Sequence, residues 1–239
     1  MQKDVWEKEY RNPKLVTGHD KPQSFFLKFL KDLKKGKIHR ILTPMDLEGM
    51  KVLDLGCGTG RNSNYLTQKK AKVIGLEISN TALKIAQSRA KEVNLNVDYI
   101  NHNIGSKYPF GDKSFDLIID ITSSNSLNEK ERKIYLSEVN RVLKPDGIFF
   151  VRALCKDGDK NAKKPLEKIQ PAGVGHPRIE KDTYIMPDTG LQERVFSKDD
   201  FIEMYSKYFK ILKLEKTESY STVGDRLYKR KFWLAVLTK

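Results

Sequence analysis

Short apolar runs alternate with longer amphipathic stretches through the middle of the chain, and that alternation predicts a parallel sheet. Lys51–Leu55, Lys72–Leu76, Val97–Ile100, Phe115–Ile119 and Ile148–Val151 are strand-length runs dominated by Val, Ile, Leu and Phe, as strands covered on both faces should be. Helix-length segments separate them. Arg61–Lys69 follows the first run. Ser79 or Asn80 can cap the next helix, with Ala82, Leu83, Ala86 and Ala90 on its apolar face. Residues 127–143 place Ile134, Val139, Val142 and Leu143 on one side, and Lys144-Pro145-Asp146-Gly147 is turn chemistry before the fifth run.

The flanks read differently. Residues 1–20 look irregular, with Asn12-Pro13 as a breaker; a short helix there would put Trp6 and Tyr10 on one face, either packed on the core or covering a ligand. Pro22 can open a helix whose stripe is Phe25, Phe26, Phe29, Leu30 and Leu33, with Gly36 at its end. Residues 155–196 are broken by Pro165, Pro171, Gly173, Gly175, Pro177, Pro187 and Gly190, which suits either a lid or a disordered insertion. Ser197 and two acids then start a helix. Phe209–Leu214 and Leu227–Leu237 read as strands pairing antiparallel across residues 215–226.

The expected fold is therefore α/β: a doubly wound, seven-stranded, mostly parallel sheet with helices on both faces and an antiparallel last strand pair. Residues 1–45 form an N-terminal helical lid segment and 46–153 the α/β core. Residues 154–239 supply a variable lid loop, a terminal helix and two strands completing the same sheet.

Composition narrows the function. Hydrophobic residues make up 38% of 239 residues, enough for a globular core. No apolar run approaches the roughly 18 residues of a membrane span, and the first residues lack an apolar signal core, so a cytoplasmic location is expected. The two cysteines, Cys57 and Cys155, and four scattered histidines show no metal-ligand spacing, so no metal is expected. The net charge of +14 is high and would suit RNA. It is spread, however, as +4 over residues 1–50, +5 over 51–153 and +5 over 154–239, which suits a lysine-rich solvated surface equally well.

The first strand runs into Asp54-Leu55-Gly56-Cys57-Gly58-Thr59-Gly60. The dinucleotide fingerprint G-x-G-x-x-G would need its third glycine at position 61, which is Arg61; here the spacing is G-x-G-x-G. Ligands of open α/β sheets bind beyond the carboxyl ends of the strands, where strand order switches. The glycine loop, Glu77, Asn101–Ile104 and Asp120–Thr122 would converge there.

The D-L-G-C-G-T-G string resembles the first motif of class I, Rossmann-like methyltransferases that use S-adenosylmethionine. Tyr108–Ile118 resembles the family's segment leading into strand four, and Asn140–Ile148 its helix–turn–strand signature before strand five. The resemblance covers about residues 46–153. It implies S-adenosylmethionine as cofactor and S-adenosylhomocysteine as product. It implies that Gly56, Gly58 and Gly60 pass the methionine part closely, that Cys57 is cofactor-binding with them and that Asp54 helps hold its amino end. Glu77 would bind the ribose, with Ile78 against the adenine. Asn103 stands where family members often carry an aspartate toward the adenine amino group; it keeps an acceptor oxygen and loses the charge. Ile104 would flank the ring, and Asp120 and Ile121 would lie near the methyl group.

Methyl transfer is an in-line displacement in which the cofactor brings its own leaving group, so the protein supplies proximity and orientation. His176, Glu180 and Tyr184 are candidates for a general base, and none is assigned. The chain lacks the proline pair of adenine-amino DNA enzymes after strand four, the Pro-Cys pair of cytosine-C5 enzymes and the several thiols of arsenic enzymes. A small-molecule acceptor is the leading expectation, since no separate recognition domain is visible. RNA is the alternative, from the net charge and from Arg226, Lys229, Arg230 and Lys231. A non-catalytic binding protein is the third.

Overall fold

Two helices, α1 (Gln2–Arg11) and α2 (Ser24–Lys34), precede the sheet in a computed structural model that describes residues 2–13, 19–38, 44–168, 180–186, 189–223 and 226–239. The irregular start expected for residues 1–20 is corrected by α1: its charged residues mask the helical signal, while Val5, Trp6 and Tyr10 turn inward. On α2 the expected stripe is realised, with Phe26, Phe29, Leu30 and Leu33 all buried.

The core then alternates as expected: β1 (Lys51–Leu55), α3 (Arg61–Gln68), β2 (Lys72–Glu77), α4 (Asn80–Glu92), β3 (Asp98–Asn101), β4 (Phe115–Ile121), α5 (Glu129–Val142) and β5 (Leu143–Leu154). Side-chain caps fix the helix starts. Ser79 Oγ accepts the Ala82 N–H at 3.2 Å. At α5 Asn128 and Glu131 cap each other's backbone reciprocally. The chain continues through α6 (Lys160–Lys168), a hairpin of β6 (Thr183–Ile185) and β7 (Gln192–Arg194), α7 (Lys198–Tyr205), β8 (Lys210–Val223) and β9 (Arg226–Thr238).

The large sheet has seven strands in the order β3-β2-β1-β4-β5-β9-β8. The pairs from β3 to β5 are parallel, and β9 lies antiparallel between β5 and β8. Alternate strand residues serve opposite faces. Val52, Leu117, Ile119 and Phe150 pack under α2, where Phe29 stacks on Phe150 at 4.1 Å between centroids. Leu53, Ile118, Phe149 and Val151 pack on the other side with Tyr135 and Val139 of α5 and Phe201 and Tyr205 of α7.

Two boundaries differ from expectation. The turn residues 144–147 lie inside the bounds of β5, as an irregularity between the Phe115↔Leu143 and Leu117↔Ile148 pairs. The connection expected over 215–226 is mostly ladder, since β8 and β9 remain paired out to Val223↔Arg226. In the 155–196 region, α6 and the β6–β7 hairpin are ordered elements, while Pro171, Gly173, Gly175, His176, Pro177 and Pro187 lie outside the described residues. No helix among the described residues is long and apolar enough to cross a membrane.

Candidate functional site

Strand order switches at β1, which has β2 on one side and β4 on the other. A cavity of about 330 Å³ opens beyond the carboxyl ends of these strands, the position expected for ligands in such sheets. Its floor comes from Gly56 after β1, Glu77 and Ile78 after β2, His102–Ile104 after β3 and Ile121–Ser123 after β4. Gln2, Lys3, Trp6 and Tyr10 of α1 form the roof.

The loop after β1 needs glycine. Gly56 has φ +67°, and a Cβ there would lie 2.2 Å from Ser123 Oγ, which itself donates to the Gly56 carbonyl at 3.1 Å. Two strand ends are thereby pressed together with no room for a side chain.

Glu77 is 5% exposed. Its Oε1 accepts the N–H groups of Ile78 and Ser79 at 2.8 and 2.9 Å, and Oε2 accepts that of Gly58 at 3.0 Å. Burial pushes its carboxyl pKa up, against the pull of these donors. The three bonds leave acceptor capacity on the two oxygens.

Six of the expected residues reach the wall: Gly56, Glu77, Ile78, Asn103, Ile104 and Ile121. Asn103 is held from both ends, its Nδ2 donating to Glu131 at 3.1 Å and its Oδ1 accepting the Gly105 N–H at 2.8 Å. Asp54, Cys57, Gly58, Gly60 and Asp120 stand behind the wall. Asp54 accepts the Ser63 hydroxyl at 2.6 Å, and burial pushes its pKa up to about 7. Asp120 differs from the expectation that put it beside Ile121. Successive strand residues face opposite ways, so its carboxylate turns inward to accept the Ser123 N–H at 2.8 Å and the Tyr135 hydroxyl at 2.6 Å.

α1 covers the glycine loop. A Cβ at Gly58 would come within 2.7 Å of the Tyr10 hydroxyl, and Tyr10 packs on Trp6 with centroids 5.9 Å apart. Both aromatics thus face the cavity.

The far end of the cavity was not anticipated. Arg152 and Leu154 of β5, Arg230 and Phe232 of β9, Glu193 of β7 with Leu191 just before it, and Asn125 after β4 complete it. Arg230 sits in a buried network: it donates to Tyr184 at 3.0 Å, to Glu193 at 3.1 Å and to Asp159 at 3.3 Å. The Tyr184 hydroxyl donates to Glu193 at 2.6 Å, and burial with that carboxylate raises its pKa, which does not suit a base. Glu180 caps α5 by accepting the Glu129 N–H at 2.7 Å and is absent from the wall. The expected basic cluster is likewise paired: Lys229 bridges to Glu218 at 2.5 Å, and Arg230 is internal. A signal was present for Arg152, a charge inside the apolar run Ile148–Leu154. Among the described residues no group of three His, Cys, Asp or Glu could hold a metal ion.

Residues 52–147 match the family model described as "Methyltransferase domain". The α/β core is thus similar to a methyltransferase domain. A phthiotriol/phenolphthiotriol dimycocerosates methyltransferase of Mycobacterium tuberculosis is 34% identical over 113 residues, 46% of this chain and 40% of that protein. A fatty-acid O-methyltransferase of Mycolicibacterium smegmatis is 31% identical over 114 residues, 47% of this chain and 40% of that one. The match thus spans 40% of the length of these relatives. A crystal structure of a SAM-dependent methyltransferase from Methanosarcina mazei shares the fold, with TM-score 0.69 and 24% identity over 80% of this chain and 93% of that one. The matched span ends before Arg152, so the far wall of the cavity, apart from Asn125, comes from outside it.

Proposed function

We propose that the protein is an S-adenosylmethionine-dependent methyltransferase acting on a small molecule. The observation that carries this reading is the meeting of Gly56, Glu77 and Asn103 in one roofed cavity at the strand switch of a methyltransferase domain. The residues fit the cofactor. Glu77 offers a preorganised carboxylate with acceptor capacity left for ribose hydroxyls, and Gly56 puts no Cβ between backbone and cavity. Ile78 and Ile104 give apolar surface for the adenine and Asn103 a hydrogen-bonding edge. Cys57, Gly58 and Gly60 shape the loop, while Asp54 and Asp120 hold it and the β4 turn from behind.

When bound, the cofactor supplies a methyl group on a sulfonium with its own leaving group. The chain's residues then orient the two reactants and exclude water, with Trp6 and Tyr10 closing the roof. The small-molecule reading draws on the enclosed cavity and on the phthiotriol/phenolphthiotriol dimycocerosates and fatty acids named for the two relatives. The net charge of +14 is the observation that favours RNA instead.

Calorimetry with S-adenosylhomocysteine should show binding, and Glu77→Ala should weaken it by about 1.5–3 kcal/mol. Binding of NAD in its place would overturn the reading. Labelled methyl transferred into an extract should appear among small metabolites; label in RNA would transfer the assignment to RNA.

A further inference from the structure

Two buried donors at the far end of the cavity have no acceptor. Arg152 is 7% exposed, and its Nε has no hydrogen-bond partner. Its Nη2 donates to Ser219 Oγ at 2.8 Å, and the guanidinium lies 3.3 Å from the Phe232 ring centroid. No carboxylate among the described residues pairs with it. Asn125 is 2% exposed; its Oδ1 accepts the Leu154 N–H at 3.0 Å, while its Nδ2 has no partner. Both residues line the cavity. Orphan buried donors are rare in folded proteins, and two on one wall point to an acceptor that arrives with a ligand.

The carboxylates around the cavity are already hydrogen-bonded to other groups. Glu193 and Asp159 are engaged by Arg230. Glu77 is held by three backbone N–H groups, and Glu131 by Asn103 and the Asn128 N–H. The charged group acting on Arg152 is Arg230, a second cation; burial and this neighbour push the Arg152 pKa down to about 9. A buried guanidinium with no carboxylate of its own has donors to offer an anion.

We propose that the methyl acceptor is a carboxylate-bearing small molecule whose carboxylate is held at this end of the cavity by Arg152 and Asn125. This deepens the methyltransferase reading and rests on it. Position assigns the group to the acceptor. β5 lies two strands beyond β1, about 10 Å at ordinary strand spacing, so Arg152 sits across β4 from the glycine loop. Charge selects carboxylate over phosphate ester: one guanidinium lacks a counter-ion, and a phosphate monoester carries nearly two charges. Leu154, Leu191, Leu127 and Phe232 offer the rest of the molecule an apolar enclosure.

The test is calorimetry on the full chain, with and without saturating S-adenosylhomocysteine. The probes are straight-chain acids from butanoate to dodecanoate, benzoate, phenylacetate and cinnamate, each with its primary amide, and octyl and phenyl phosphate. At least one carboxylate is expected to bind about tenfold or more tightly than its amide. Arg152→Met should abolish that difference, Arg152→Lys should restore part of it, and Asn125→Ala should reduce it. S-adenosylhomocysteine binding by each variant reports that it has folded. The proposal is overturned if no carboxylate outbinds its amide on the wild-type chain, if the phosphates bind most tightly, or if folded Arg152→Met keeps the preference. A chain that prefers carboxylates but does not bind S-adenosylhomocysteine would support the anion site and sink the methyltransferase reading.

Discussion

Ser79 does two jobs with one hydroxyl: it accepts the Ala82 N–H to cap α4 and donates to Glu7 of α1 at 2.6 Å. Glu7 also accepts the Thr81 hydroxyl at 2.5 Å, so the roof of the cavity is latched to the start of a core helix. These donors hold the Glu7 pKa down, from 4.5 to about 2. An acid with a lowered folded pKa stabilises the folded state above its ordinary value and loses that contribution as pH falls toward the lower one. The latch should therefore be intact above about pH 4.5 and released between there and pH 2. At neutral pH Glu7→Ala should expose α1 to proteolysis and weaken S-adenosylhomocysteine binding severalfold. Unchanged cleavage and affinity would show that α1 stays down without it.

Asp54 should give the opposite slope. Its pKa rises from 3.8 to about 7 because burial penalises the charge. Between those values the unfolded chain is ionised and the folded one protonated, so stability falls as pH rises. Asp54→Asn keeps an oxygen for the Ser63 hydroxyl and cannot ionise. Urea unfolding at pH 5 and pH 8 should show a smaller difference for the variant than for the parent chain. Glu77 and Asp120, raised by burial with the same sign, remain in both.

Gly60 begins α3 at φ +79°, and a Cβ there would meet the Tyr99 hydroxyl at 2.3 Å and Ala86 Cβ at 2.9 Å. Gly60→Ala combines left-handed strain of about 1–2 kcal/mol with overpacking of about 1–3 kcal/mol. At Gly111 the nearest atom, Ser114 Oγ, is 3.7 Å away. Gly111→Ala should be neutral within about 1 kcal/mol in the same denaturation series.

Arg230→Met would leave Asp159 and Glu193 facing each other without their cation. Breaking a buried pair from one side costs about 3–5 kcal/mol. Arg230→Met together with Glu193→Gln should recover part of that loss; a double variant no more stable than the single one would show that the network is not what Arg230 supports.

The near half of the cavity was legible because its parts are local. The glycine string, the carboxylate closing β2 and the residues after β3 and β4 each follow an apolar run that announces its strand. What alternation did not settle was direction: Asp120 and Ile121 sit side by side in sequence and face opposite sides of the sheet. The far half was not legible because it is assembled over distance. Arg152 and Arg230 come from β5 and β9, and their meeting depends on the strand order β5-β9-β8. The outer part of β8 was missed since Lys, Glu, Ser and Thr dominate it, while β9 was expected nearly to its observed bounds. α1 was foreseen only as a short helix that would bring Trp6 and Tyr10 to one face, because its charged residues obscure the helical signal.

The insertion of β9 between β5 and β8 also sets an order of events at the ribosome. β8 leaves the exit tunnel before the strand it pairs with, and at about 5–20 residues per second its fourteen residues wait on the order of a second or more for β9. Until then the outer edge of β5, with Ile148–Leu154 all buried in the finished fold, has no neighbour. A nascent chain stalled within this interval would have its glycine loop and Glu77 in place beside an open strand edge. β9 is the strand that covers this edge and finishes the wall carrying Phe232, so the emerging chain is most open to association with other chains until β9 has left the tunnel.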